Sequence, residues 1–265
     1  MTRSSEIGQM DEIFLPGLPV DLIRAAYLDA PGNEIESGKF GSPESSAALV
    51  ANTFGLFLGR AADFPPLPGG EAWGWPTLSL QLEAIVRFPW QGGRHPCLDV
   101  LIETRAALIG VESKRYEPFR PKGQSTILSD AYWRPVWGDA MIGYERVRNG
   151  LRDGSLAFTY LDAAQLVKHA FGLRTAVHQQ KNLRDKQPIL FYLCAEPQRW
   201  PDGRPVPIAA IEAHRAEARK FADIVAGAEV TFSLCTYGEL LSQWEHEPAT
   251  EIRAHAAAIR KWFAP

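Results

Sequence analysis

The chain is predicted to be an α/β domain built on a mixed sheet with flanking helices. Three observations predict it. Short segments alternate apolar and polar residues with the two-residue period of strands, while longer ones repeat apolar residues at helical spacings of three and four. The run "QPILFYLCA" is apolar throughout, as a strand covered on both faces must be. The order helix, strand, strand, strand, helix, strand, helix, strand fits one α/β domain, with no internal repeat and no linker that would divide it.

Residues 1–41 read as a peripheral N-terminal extension in which "PVDLIRAAYLDA" is a short helix. A helix is expected over 43–60: Ser42 is a good N-cap, Pro43 suits the first helical position, and Glu44 complements the dipole. "TLSLQLEAIVRFPW" predicts a strand with Leu78, Leu80, Leu82 and Ala84 on one face. In "CLDVLIET", Leu98, Val100 and Ile102 alternate with Asp99, Leu101 and Glu103, and "ALIGVESKR" supplies the next strand. A loop-rich insertion follows, then helices near 139–149 and over 161–180, the latter with Leu166, Ala170, Leu173 and Val177 on one stripe. "QPILFYLCA" comes next. A helix opens at Pro207, with Gly227 as its cap, "EVTFSLCTYGEL" is the last strand, and the remainder is helical.

Composition narrows the function classes. With 265 residues, 46% hydrophobic and 22% charged, the chain is of ordinary globular type. A net charge of -3 advertises no overall basic surface, so a nucleic-acid partner would have to be met by local patches. Cys97, Cys194 and Cys235 lack paired spacing and read as reduced thiols. No apolar run approaches the ~18 residues that span a bilayer. A soluble, cytoplasmic protein without membrane contact is the expectation.

The chemistry concentrates in "ALIGVESKRYEPF". Glu112 and Lys114 are two residues apart in a strand, so their side chains share a face. A turn centred between Arg105 and Ala106 sets Asp99 opposite Glu112, with β-carbons ~5 Å apart. Two carboxylates that close repel unless one holds a proton or a cation lies between them. Lys114 leaves the cluster net negative, which suits a divalent metal with hard oxygen ligands, Mg²⁺ or Mn²⁺. Glu83, on the preceding strand, joins only if that strand shifts phase. The alternative for the same residues is a strand-end ion pair with Asp99 solvated. Among the eight lysines, Lys114 alone has an acid two positions before it.

"LDVLIETRAALIGVESK" is similar to the active-site hairpin of the PD-(D/E)xK nucleases, the restriction-endonuclease-like superfamily. With "SSAALVANTFGLF" and "IGVESKRYEPF", the chain looks like a bacterial restriction-endonuclease family within it, over roughly residues 42–194. That resemblance implies an αβββαβ core inside a single domain spanning 42–265, with N- and C-terminal helical extensions. It also implies metal binding by Asp99 and Glu112 and a Lys114 that positions or activates water; Glu83 is a further candidate ligand from strand phase alone. The expected activity is Mg²⁺-dependent hydrolysis of DNA phosphodiesters, in restriction or defence; a homodimer would supply two cutting centres. One departure stands out: members often carry Pro immediately before the Asp, where this chain has Leu98, with Pro96 two positions earlier. The competing reading is a nuclease fold that binds DNA or a protein and cuts nothing.

Other residues are weaker. Gln165 and Lys168, one turn apart, could reach phosphate or form an ordinary polar helix face. Five cations against Asp185 between Lys168 and Lys186 could track a nucleic-acid backbone. Glu117 reads as a turn cap or a rim residue, His95 as an exposed loop residue, and Trp73 and Trp75 as packing.

Overall fold

Alternating apolar residues along 79–114 build a three-strand antiparallel meander. The computed structural model describes residues 13–32, 34–120 and 128–265. In it β1 (Ser79–Ile85), β2 (Cys97–Glu103) and β3 (Ala107–Lys114) pair in sequence. β4 (Gln187–Cys194) and β5 (Thr231–Thr236) add to β3 in parallel, giving an open mixed sheet of five strands in chain order. Expectations for residues 1–12 and for the middle of the insertion, 121–127, lie outside the described residues.

Thr104 makes the β2–β3 turn. Its N–H donates to the Ala107 carbonyl (3.0 Å) while its hydroxyl accepts the Ala107 N–H (2.9 Å). The resulting register sets Val100 opposite Val111 and Leu101 opposite Gly110, as the sequence predicts.

Seven α-helices are found among the described residues: α1 (Val20–Asp29), α2 (Ser46–Phe54), α3 (Ile142–Asp153), α4 (Ala163–Gln179), α5 (Ile208–Val225), α6 (Tyr237–Trp244) and α7 (Thr250–Phe263). Alternate residues of the central strands feed two cores. Ile109, Val111 and Phe191 join α2, α6 and α7 on one face, where Leu49, Trp244 and Ile259 are fully buried. Leu108, Leu190 and Tyr192 join α3, α4 and α5 on the other. The predicted α4 stripe of Leu166, Ala170, Leu173 and Val177 is buried there. Phe14, Ile23, Tyr27 and Phe40 pack into the first core, so the described part of the N-terminal segment belongs to the body of the fold.

Several details differ from expectation. α2 is shorter, 46–54, because Ser45, not Ser42, is the cap: its hydroxyl accepts the Ala48 N–H at 3.0 Å. The Ser42 hydroxyl is taken by Glu44 N–H in a local turn (3.3 Å). β5 ends at Thr236, where a capping box with Glu239 starts α6. β1 does not keep one apolar face. Leu78 is 54% exposed, and Glu83 has φ +51°, which turns the strand over. Leu80 and Leu82 therefore enter the first core, and Val86 and Phe88 the second.

Candidate active site

That reversal matters because Glu83 lies between the pairs Leu82–Val100 and Ala84–Leu98, level with Asp99. The β2–β3 pairing runs as far as Val100–Val111. At the next step the Asp99 carboxylate, rather than a backbone carbonyl, accepts the Ser113 N–H at 2.6 Å. Asp99 is thus wedged between strands and partly buried, while Lys114 and Glu112 form the strand-end ion pair that the alternative reading names. Glu83 accepts the Cys97 thiol at 3.4 Å.

Glu112 is 1% exposed. An unpaired carboxylate at such a place would cost several kcal/mol, and Lys114 offsets this by donating its ammonium to Oε1. His169, projecting from α4, brings Nε2 to 2.8 Å from Oε2, but without the alignment of a hydrogen bond, so both atoms lack one. On the neighbouring strand Tyr192 pairs with Glu112 and contacts His214 Nε2 through its hydroxyl at 2.8 Å. Two glycines let α4 come this close. A β-carbon on Gly110 would meet Leu98 and Leu173 at 2.7 and 3.0 Å, and one on Gly172 would meet Val86 at 2.5 Å.

The electrostatics separate the acids. Burial pushes Asp99 well above the usual carboxylate range; Glu112 adds to this and Lys114 opposes it. Burial also presses on Glu112, but Lys114 and then His169 outweigh it and hold Glu112 at about 2. Lys114 is raised: burial alone would lower it, and Glu112 and Asp99 more than compensate. Glu83 is pushed up to about 7 by burial, with Glu34 and Glu112 adding to the shift.

Asp99, Glu112 and Glu83 are the oxygen donors that a divalent cation would meet here, with Lys114 on Glu112 Oε1 and His169 Nε2 2.8 Å from Oε2 as the groups it would have to displace or share. Burial and the neighbouring Glu112 push the Asp99 carboxyl well above its ordinary range, a repulsion that a cation between the two acids would relieve. Among the described residues no three His, Cys, Asp or Glu side chains form a ready-made cage. Mg²⁺ does not need one, since it keeps several waters and takes one or two carboxylates. Asp99 and Glu112 would be the protein's share, with Glu83 at the rim.

The structure thus gathers Asp99, Glu112, Lys114 and Glu83. Gln165 lies in the first turn of α4, where its backbone N–H caps onto Asp162 at 3.0 Å. Lys168 points elsewhere, into a shallow cleft with Arg94 and Trp90. Sequence reasoning missed His169 and the nearby Glu34. The usable signal for His169 was an imidazole on the buried stripe of a long helix, a position that demands a partner. Of the basic stretch, Arg174 is engaged by Glu229 and Lys186 lies 3.3 Å from Glu103. Glu117 is structural, accepting Ser46 Oγ (2.7 Å) and Arg115 N–H (2.9 Å). His95 is not simply exposed: its Nδ1 accepts the Phe88 N–H at 3.1 Å. Trp73 and Trp75 pack against the first core, and the three cysteines are free thiols.

No helix among the described residues is long and apolar enough to cross a membrane. Compared with known proteins, the chain matches no family model, no curated protein and no solved structure.

Proposed function

We propose that this chain is a metal-dependent endonuclease of the restriction-endonuclease-like type, hydrolysing phosphodiesters in DNA. The observation that carries the reading is the convergence of Asp99, Glu112 and Lys114 where β2 and β3 part, within a helix, three-strand, helix, strand order. Asp99 and Glu112 would hold Mg²⁺ or Mn²⁺, which when bound supplies Lewis acidity and a water of lowered pKa. Lys114 contributes fixed positive charge beside the scissile phosphate, where negative charge grows in the transition state. His169 presses on the far oxygen of Glu112 and so fixes the orientation of that carboxylate. β4 and the α4 side chains exclude water behind it.

The test is supercoiled plasmid incubated with Mg²⁺ or Mn²⁺. Wild type should nick or linearise it, and Asp99→Ala, Glu112→Gln and Lys114→Ala should each lose several orders of magnitude in rate. In a separate melt, Mn²⁺ should raise Tm for wild type and not for Asp99→Ala. A second reading is a nuclease fold that binds without cutting. In its favour is the Lys114 ammonium, which is engaged by Glu112 rather than free. Wild type inert toward duplex, single-stranded and methylated DNA and RNA would select it.

A further inference from the structure

The acid cluster alone would repel a phosphodiester, so the substrate's attraction must come from elsewhere on the surface. Two clefts flank the loop joining β1 to β2, and both include Gly93 and Arg94 in their walls. The larger, about 710 Å³, adds Arg87 and faces Pro31 and Gly32. The smaller, about 240 Å³, adds Lys168 and Trp90. Among the described residues, three cations line the two clefts and no carboxylate does. Arg87, Arg94 and Lys168 make no hydrogen bond or ion pair to a described side chain, although Asp162 exerts some pull on Lys168. That concentration stands out in a chain of net charge -3.

Both clefts are joined to the acids through the chain, although neither has an acid of the cluster in its wall. Ile85, in the wall of the larger one, is two residues from Glu83 and pairs with Cys97. Lys168 immediately precedes His169, which faces Glu112. Trp90 is not a free stacking platform. Phe88 stacks against it at 4.9 Å and 24°, and the exposed Arg134 guanidinium sits 4.8 Å over its ring. With both neighbours in place the indole has little face left for a base, and it holds Arg134 beside the cleft that Trp90 lines.

We infer that the β1–β2 loop with Lys168 and Arg134 is a track for the phosphate backbone of duplex nucleic acid, binding it without reading bases and leading it to the acid cluster. The inference deepens the nuclease reading and rests on it for the direction of the track. Backbone-only contact predicts a linear dependence of log K on log salt, with a slope of about -0.9 per phosphate neutralised, hence roughly -3 to -4 for four cations.

The experiment is fluorescence anisotropy of full-length protein on two duplexes of unrelated sequence across a salt series, without divalent metal. Wild type should show the same slope on both. Arg94→Gln and Lys168→Gln should each weaken binding equally on both duplexes and reduce the slope by about one. Folding is checked by thermal melt, and the paired variant Arg87→Lys, which keeps the charge, should retain the wild-type slope. Unchanged affinity and slope in folded Arg94→Gln/Lys168→Gln would overturn the track. So would a loss confined to one duplex, tighter binding of single strands than of duplex, or binding of heparin with none of DNA. Cleavage is scored separately. Plasmid cutting that survives with an unchanged slope sinks the track and leaves the nuclease; binding with the expected slope but no cutting does the reverse.

Discussion

Glu112 sits at 1% exposure with its charge offset chiefly by one ammonium, and that arrangement sets the residue-scale consequences. Removing Lys114 leaves a buried carboxylate beside Asp99. Lys114→Met should therefore destabilise by about 3–5 kcal/mol in urea unfolding. Adding Glu112→Gln should recover a large part of that loss, since groups in one ion pair are strongly non-additive. Equal losses that simply sum would show the pair is uncoupled. Glu83 gives a pH signature. Its folded value of about 7 lies above its ordinary 4.5, so the folded state binds more protons in between, and stability falls as pH rises through that window. Glu83→Gln should then have a higher Tm than wild type at pH 8, with the gain vanishing by pH 4. Glu112 and Lys114 were legible as same-face neighbours because strand alternation fixes them. The turn position fixed the register, but the expected Asp99–Glu112 opposition falls one step past the last pair, Val100–Val111, where the Asp99 carboxylate takes the Ser113 N–H instead. His169 was not legible, because its partner comes from an element far away in sequence and only helix packing brings them together.

At the element scale the decisive contacts are those that seat α4 on β3. The missing β-carbon of Gly110 leaves room for Leu98 and Leu173, and that of Gly172 for Val86. Gly110→Ala should cost about 1–3 kcal/mol by overpacking and shift His169 away from Glu112. Leu98→Ala in the same chain should restore part of the stability, measured by thermal unfolding. No recovery would mean the helix, not the leucine, bears the strain. Strand identities, the β2–β3 register and the α4 stripe were readable because each rests on local periodicity. The reversal at Glu83 was not. Nothing in "LSLQLEAIV" marks a left-handed residue, and the turn-over follows from having to serve two cores with one strand.

For the whole molecule, the layering follows from the run of apolar strands, β3 and β4, which must be covered on both faces. Sequence order alone gave this mixed sheet its helices; it did not show that residues 13–41 would fill the first core, since their apolar residues are too few and irregular to declare a face. Arg115 links the layers. It is 6% exposed, and its guanidinium donates to the Pro43 carbonyl before α2 (2.8 Å) and to the Phe263 carbonyl at the end of α7 (2.7 Å). Arg115→Met should leave both carbonyls unsatisfied and speed amide hydrogen exchange in α7 well beyond that in β4. Uniform exchange in both would show the tie is idle.

Arg115 follows Lys114 directly in the chain. A pull on α7, whether from a fused partner or from shortening it by one turn, would be felt through a single peptide bond at the ammonium that neutralises Glu112. Changes to the end of α7 thus bear on Arg115, one residue from the ammonium that neutralises Glu112.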